Sequence, residues 1–517
     1  MEASSHDFVL AGDGRPPLDV VRAALAPRFP VAPAGRSRTV RRTWLDTFDW
    51  RLHQAGLTLE HAAGPGFSEY TLTGADGERI TTTAASRIRW PAFADALPPG
   101  PLRARLEQVT SIRALMPVAR ATSAIQRWRV LNADDKTIAW LTVDQTSPAI
   151  PGAGGLPPRL SVAAVRGYQA QTGRIVTCLA GAPGVSAAGE PVMVGALAAA
   201  GHHPGDYTSK INVELTAQMP ARRALEAVLL RLLDTLEANV AGTVRDIDTE
   251  FLHDLRVAVR RTRSALKLCG DALPAGVAER FRDQFKWLGD VTTPIRDLDV
   301  YLLNYPAMAA GLRSATPQDL APFAEHLARR RELELRRLVR ALRSARFAHL
   351  TCDWRAALTG HSTRGRRTAA RLAAERIRRA HRRVLKQGAA ITADSPPESL
   401  HDLRKRCKEL RYLLEFFASL HDPAIHRQAV RDLKGLQDCL GTYQDCQVQQ
   451  HEIRMFATQM MHEQEVPVTA LLAMGELAGQ VATREHQARG EFAGRFADFA
   501  SAANRQRFSA LTTDAGL

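Results

Sequence analysis

The chain has 517 residues, with 69 Lys and Arg against 54 Asp and Glu and a formal net charge of +15. That length exceeds one typical core, so two or three domains are expected, and the charge calls for an anionic partner such as nucleic acid, an acidic membrane surface or a phosphate-rich ligand. The start, MEASSHDFVLAGDG, has no basic n-region or apolar h-region, and the longest apolar run, VMVGALAAAG from Val192, is too short for a bilayer span, so a soluble cytoplasmic protein without a membrane partner is expected. The six cysteines (Cys178, Cys269, Cys352, Cys407, Cys439 and Cys446) form no CxxC or Cys/His ligand pattern, and they read as reduced, buried thiols.

Residues 1–200 read as α+β. EYTLTGADGERIT, from Glu69, predicts a hairpin, and RWRVLNADDKTIAWLTVD, from Arg127, predicts another that turns near Asn132 to Asp135. The Pro- and Gly-rich stretch from Pro148 to Pro158 predicts a loop, and VSAAGEPVMVGALAAAGHHPGDYTSK predicts a small-residue helix and a linker over 201–220. After Pro220 the apolar residues recur at three- and four-residue spacing and the strand signatures stop. An all-helical domain over 221–512 follows.

That domain contains an internal repeat, about 221–350 and 365–512. An offset of 148 aligns His253 with His401, Asp254 with Asp402, Arg256 with Arg404, Arg260 with Lys408 and Arg263 with Arg411. Without a gap it also aligns Lys286 with Lys434, Leu288 with Leu436, Asp290 with Asp438 and Asp297 with Asp445. Two related helical bundles about a pseudo-two-fold axis are the simplest architecture.

The second copy opens with Ser395 as predicted N-cap, Pro396 at N1 and Glu398 at N3 of a capping box. Helical phase then predicts a buried seam of Leu400, Leu403, Cys407, Leu410, Leu414 and Phe417, matched by Leu252, Leu255, Val259, Thr262, Leu266 and Cys269. Beside it runs a cationic stripe: His253, Arg256, Arg260, Arg263 and Lys267 in one copy, and His401, Arg404, Lys408 and Arg411 in the other. Like charges at i,i+3 and i,i+4 each cost about 0.2–0.5 kcal/mol in an isolated helix, so an unrelieved ladder of them predicts a bound anion. Salt bridges to neighbouring helices are the competing explanation.

Between the copies, Ala321 to Lys386 holds 19 Lys and Arg against 5 Asp and Glu, and Arg364, Arg367, Arg371, Arg378 and Arg382 share a predicted helix face. Arginine forks donate paired hydrogen bonds to phosphate oxygens, which favours a phosphate ligand over a diffuse field. A metal reading of the His-Asp pairs is weak, since neither copy has a second His or carboxylate at i+4.

These residues carry a family resemblance. LHDLRVAVRRTRSAL and LHDLRKRCKELRYLLEF, with WLGDVTTPIRDLDVY after the first and LKGLQDCLGTYQDCQV after the second, resemble CHAD domains over roughly Ala221 to Ala510. The resemblance implies two pseudo-symmetric helical bundles whose basic surface binds inorganic polyphosphate. By motif position it assigns that role to His253, Arg256, Arg260, Arg261, Arg263, Lys286, His401, Arg404, Lys408, Arg411 and Lys434. Glu409 and Glu415 stand where the first copy has Arg261 and Lys267, so an asymmetric site is expected, with more positive charge from the first helix.

WLDTFDWRLHQAGLTLE from Trp44 and PRLSVAAVRGYQ from Pro158 resemble parts of a CYTH domain, the triphosphate tunnel fold, which implies an antiparallel, barrel-like N-terminal domain. Its Glu-x-Glu-x-Lys strand is replaced by SHDFVLAGD, its arginines after Leu59 by Glu60 and Ala62, and its carboxylates near Leu160 by Ser161 and Ala163. Arg103, Arg105, Arg120, Arg127 and Arg129 remain. The expected function is polyphosphate binding without catalysis or cofactor, in the cytoplasm and with association to polyphosphate granules left open. The alternatives are a metal-dependent triphosphatase, using Mg²⁺ or Mn²⁺ in the tunnel, and nonspecific binding of a nucleic-acid backbone; the scarcity of aromatics and of a recognition motif in the helical domain argues against base stacking or readout, not against backbone binding.

Overall fold

The structure, a computed structural model, describes residues 6–11, 16–26, 28–84, 88–152, 154–360, 367–463 and 466–513. It divides into two compact units, Met1–Thr208 and Ser209–Leu517.

The first unit is built on an antiparallel sheet of β1 (His6–Leu10), β2 (Val31–Pro33), β3 (Arg38–Thr47), β4 (Leu57–Gly64), β5 (Phe67–Gly74), β6 (Arg79–Thr83), β7 (Leu115–Leu131), β8 (Thr137–Pro148), β9 (Arg159–Ala164) and β10 (Val185–Ala187). The order is β10-β1-β9-β8-β7-β3-β4-β5-β6, with β2 pairing β7. Strands β10 and β6 are its two ends and do not pair, so the sheet is open and the barrel-like closure expected from the sequence is not formed. Both predicted hairpins are present. Between β7 and β8, Asn132 Oδ1 accepts from the amides of Asp134 and Lys136, and Asp135 takes the left-handed φ of 57°. The sequence missed β10, a three-residue edge strand too short to show alternation.

Among the described residues, the helices α1 (Pro17–Leu25), α2 (Arg51–Gln54), α3 (Pro101–Thr110), α4 (Gln169–Ala180) and α5 (Val192–Ala198) accompany the sheet. Side chains alternate along a strand, so the register sorts them into two faces. One face carries Leu45, Leu59, Leu72, Trp128 and Val130 into cores that α1, α3 and α4 complete. On the other, Trp44 and Ala121 pack against Met193, Ala196 and Leu197 of α5. The WLDTFD stretch is a structural turn: Asp46 accepts from the amides of Thr47, Leu52 and His53, and Asp49 pairs with Arg51 and the buried Arg113.

The second unit is helical: α6 (Ala221–Val244), α7 (Thr249–Cys269), α8 (Val277–Ala310), α9 (Ala321–Leu342), α10 (Ala345–Thr359), α11 (Ala369–Ala389), α12 (Pro397–Phe416), α13 (Pro423–Glu463), α14 (Val468–Phe499) and α15 (Ala502–Ala510). Helix α7 starts where Asp248 accepts from the amides of Glu250 and Phe251, at 3.0 and 3.3 Å. The start of α12 differs from the predicted capping box. Pro396 sits at the N-cap and Pro397 is the first helical residue, because Ser395 Oγ accepts from the amide of Thr392 at 2.9 Å and closes the preceding turn.

All twelve seam positions of α7 and α12 are buried. All but the buried Thr262 belong to one apolar cluster that draws on helices of both repeats, so the two bundles share a core. A second cluster joins the far ends of α8 and α13 through Leu298, Tyr301, Phe323, Ile453 and Met460. Four cysteines are buried, Cys178 is half-buried and Cys352 is exposed, which corrects the expectation that all six are buried. No helix among the described residues is long and apolar enough to cross a membrane.

Candidate functional site

Helices α7 and α12 touch each other, and each is flanked by the long helix that follows it. Their stripes emerge beside the shared core. Arg260 and Lys408 are the same position in the two repeats, and their charges act directly on one another. A residue that faces its own repeat equivalent lies on the pseudo-two-fold axis. The amine of Lys408 is pushed down to about 8, first by burial and then by the positive charges of Arg404 and Arg260. Arg260, Arg263, Lys286 and Lys408 have no hydrogen-bond or ion-pair partner among the described residues.

The next positions repeat a second pattern. In the second copy Arg404 Nη2 pairs with Asp445 Oδ1 at 3.0 Å. In the first, the half-buried Arg256 donates to the hydroxyls of Thr292 and Thr293 at 3.2 and 2.8 Å, and Asp297, the equivalent of Asp445, opposes the burial that lowers its pKa to about 10. His401 Nδ1 lies 2.6 Å from Gln444 Oε1. Lys434 pairs with Asp438 at 2.5 Å and Arg411 with Glu415 at 2.7 Å. His253 is half-buried within α7 and, like His401, opens the stripe of its copy.

Two grooves meet at Lys408 and Tyr412. One, of about 430 Å³, lies among α7, α8 and α12 and is lined by Arg260, Arg263, Lys267, Arg282, Lys286, Lys405 and Lys408, with Asp283 and Glu409 as its carboxylates. The other, of about 540 Å³, lies between α12 and α13 and is lined by Arg404, Lys408 and Arg411, with Asp438 and Asp445. The first keeps an excess of cations, whereas the second is largely compensated by its own acids. At Gly289 the Arg263 guanidinium lies close over the backbone of α8, where a Cβ would come within 2.8 Å of Nη1 and make Arg263 shift. Arg282 and Lys405 escaped the sequence reading because their repeat equivalents are Val430 and Val257, so a search by repetition had no signal for them.

One expected site residue is placed elsewhere. Arg261 donates from Nε and Nη2 to Glu415 Oε2, at 3.0 and 2.6 Å, and from Nη1 to the carbonyl of Ser209 at 3.0 Å. Lys267 Nζ lies 2.6 Å from Glu409 Oε1. These two pairs are exchanged by the repeat operation: 261 faces the equivalent of 267, and 267 faces the equivalent of 261. The acidic residues of the second copy therefore face cations of the first across the axis. Arg261 is engaged in that contact and is not part of the open groove.

The basic segment between the copies is mostly compensated locally. Arg367 and Arg376 converge on Asp271, Arg371 is near Glu375, and Arg378 donates to the carbonyl of Thr512. Arg382 is exposed, and Arg364 lies outside the described residues.

In the first unit, the face that the CYTH resemblance implies for metal and phosphate carries Arg42, Glu60, Asp144, Arg159 and Ser161 in one continuous register. Arg42 binds both oxygens of Glu60, at 2.5 and 2.6 Å, and Asp144 at 2.8 Å. With those two carboxylates on a guanidinium and with Ser161 and Ala163 beside them, these residues do not fit a divalent cation. Of the remaining arginines, Arg103 pairs with Glu107 on α3, which also carries Arg105. Arg127 and Arg129 lie on that same face, and Arg120 lies on the opposite one. Ser5, Gly12 and Asp13 of the first strand region lie outside the described residues.

Comparison with known proteins finds the following similarities. An uncharacterized protein of Mycobacterium tuberculosis is 29% identical over 214 residues, and the match spans 40% of this chain and 40% of that relative. The crystal structure of the CHAD domain from the plant Ricinus communis is 24% identical, with a TM-score of 0.45 over 59% of this chain and 96% of that one. A Hippeastrum protein described as having a dominant triphosphatase activity is 14% identical, with a TM-score of 0.26 over 40% of this chain and all of that one. The family model of the CHAD domain matches residues 227–454, from within α6 through α7 and α12 into α13. Over those residues the chain is similar to the CHAD domain family.

Proposed function

We propose that the helical unit binds inorganic polyphosphate and does so without catalysis. The observation that carries the reading is the pair Arg260 and Lys408 on the repeat axis, where unpartnered cations from both copies line grooves that meet at Lys408. Holding like charges together is unfavourable until a polyanion neutralises them. Successive phosphates of one chain would run from Lys286, Arg263 and Arg260 across Lys408 to Arg404 and Arg411. Arginine forks would take paired oxygens, and Lys434 would exchange Asp438 for phosphate. His253 and His401 would add donors at the ends of the stripes. Arg256, held by two threonine hydroxyls, would supply charge from behind the groove. No catalytic step is assigned to the first unit, whose Glu60 and Asp144 are bound to Arg42.

The test is calorimetric titration of the purified protein with long-chain polyphosphate at several salt concentrations, with double-stranded DNA as the competing polyanion. R260A/K408A should bind polyphosphate more weakly by about 100-fold or more, as loss of two charge-assisted contacts implies. Its log-log salt slope should become shallower by about 1.5. Unchanged affinity in that variant, or tighter binding of DNA than of polyphosphate, overturns the reading. Release of orthophosphate with Mg²⁺ or Mn²⁺ present would overturn its non-catalytic part.

A further inference from the structure

A large cavity in the first unit lies on the side of the sheet that carries Arg41 and Arg120, and Arg42, which turns to Glu60 and Asp144 on the other face, also borders it. It measures about 1200 Å³. Its floor is two cross-strand rows. In one, Arg120 of β7, Thr43 of β3, His61 of β4 and Tyr70 of β5 are directly opposed, and in the next, Thr122, Arg41, Ala63 and Ser68. Arg41 and Arg120 are thus diagonal neighbours, about 7–8 Å apart at Cβ, within reach of one small anion. Arg89 and Trp90 line the same cavity from the segment that follows β6.

Arg41 and Arg42 are adjacent in sequence and opposite in circumstance. Arg42 is bound to two carboxylates on its face. Arg41, Arg89 and Arg120 are exposed, have no hydrogen-bond or ion-pair partner among the described residues, and share a cavity whose described lining includes no Asp or Glu. His61 is held in place, stacked on Tyr70 with 4.2 Å between ring centroids and with Nε2 2.9 Å from Ser68 Oγ. Three guanidinium groups unpaired among the described residues share one pocket and repel each other, and no acid of its described lining relieves them. A ligand with several phosphate oxygens would do so through paired N–H donors, with the hydroxyls of Thr43 and Thr122 beside it.

We propose that this cavity is a second anion site, separate from the helical groove and on the opposite side of the sheet from the tunnel face, and that it takes a small diphosphate-bearing molecule. The diphosphate could be inorganic or the end of a nucleotide whose base lies toward Trp90. Calorimetric titrations with inorganic pyrophosphate and with ADP distinguish these sources. They are done on the full chain carrying R260A/K408A, which silences the helical groove if that groove binds as proposed, and are repeated with R41A/R120A added.

One of the two probes should bind once per chain, and R41A/R120A should weaken it at least tenfold with unchanged thermal melting. R41K/R120K, which keeps charge and loses the fork, should fall between. Tighter ADP identifies a nucleotide, and tighter pyrophosphate an inorganic ligand. No saturable binding of either probe, or affinity unaffected by R41A/R120A, overturns the proposal. Because these variants lie outside the helical unit, this result is independent of whether polyphosphate binding there succeeds.

Discussion

Helices α7 and α12 open with the same His-Asp-Leu-Arg letters and bury the same seam, yet they diverge at two positions where one carries Arg261 and Lys267 and the other Glu409 and Glu415. On the sequence alone this divergence looks like erosion of half a binding site. In the structure it is a complementary contact, Arg261 to Glu415 and Lys267 to Glu409, formed across the repeat axis. A duplicated helix that meets its own copy brings identical charges together, so a cationic helix of this kind cannot pack against an exact duplicate without relief. Relief was needed only where the two stripes approach each other. Arg260 and Lys408, which also meet there, kept their charge, and both line the open groove.

The strongest way to break that comparison is to make the copies alike. E409K/E415K would place four cations in the contact, and Arg261 and Glu415 are only 14% and 20% exposed. Removing or reversing one partner of a half-buried pair leaves the other uncompensated, so a loss of about 3 kcal/mol or more is expected in chemical denaturation. R261E/K267E in the same chain should recover most of it by restoring opposite charges in the reverse order. If E409K/E415K melts like the parent, the pairs do not hold the repeats together. By contrast K267A alone, whose side chain is 63% exposed, should cost no more than about 0.5 kcal/mol.

A smaller effect separates Lys408 from Arg260 by pH. Both occupy the axis, but only the lysine titrates in an accessible range, at about 8 when the groove is empty. A bound polyanion favours the charged amine and raises that value, so binding takes up a proton in the window above pH 8 and weakens as pH rises through it. Affinity for polyphosphate should be roughly ten- to twentyfold lower at pH 9.5 than at pH 7.5. K408R should flatten the profile, because an arginine stays charged throughout. A profile equally steep in K408R would assign the proton to another group.

How much of this was legible follows from what a sequence pattern encodes. The seams of α7 and α12 were readable residue by residue because burial repeats with helical phase. The stripe was readable because duplication doubled a signal that one helix would have carried ambiguously. The role of Arg261 was not, since its partner Glu415 is 154 positions away and only the three-dimensional crossing brings them together. The start of α12 was misplaced by one residue because Ser395 had a second use, the turn with Thr392, that propensity does not rank. The open sheet was not legible either, because strand alternation reports which face is buried and not whether the ends of a sheet meet. Helix α8 contains Pro294 and Pro306, against the usual reading of proline as a stop, and packing on both sides carries it through.

A further difference between the copies follows the second repeated helix. After α12 the chain places His421 where the first copy has Leu273. Its imidazole stacks parallel to His426 at 6.2 Å, its Nε2 is buried without a partner among the described residues, and burial followed by the charge of His426 pushes its pKa down to about 4. His421 is therefore neutral in the folded chain at neutral pH, while in the unfolded chain it titrates near its ordinary value of about 6.5. Between those values the unfolded state binds more protons, so stability is full above pH 6.5 and falls as pH drops toward 4. The contribution lost by pH 5 is about 2 kcal/mol. His381, stacked on Phe508 at 4.0 Å and also pushed down to about 4, adds a similar slope in both parent and variant. H421L, which copies the first repeat, should remove only its own share, so the difference in unfolding free energy between parent and H421L should grow as pH falls from 7 to 5. A difference that stays constant over that range would mean that His421 titrates alike in the folded and unfolded chain.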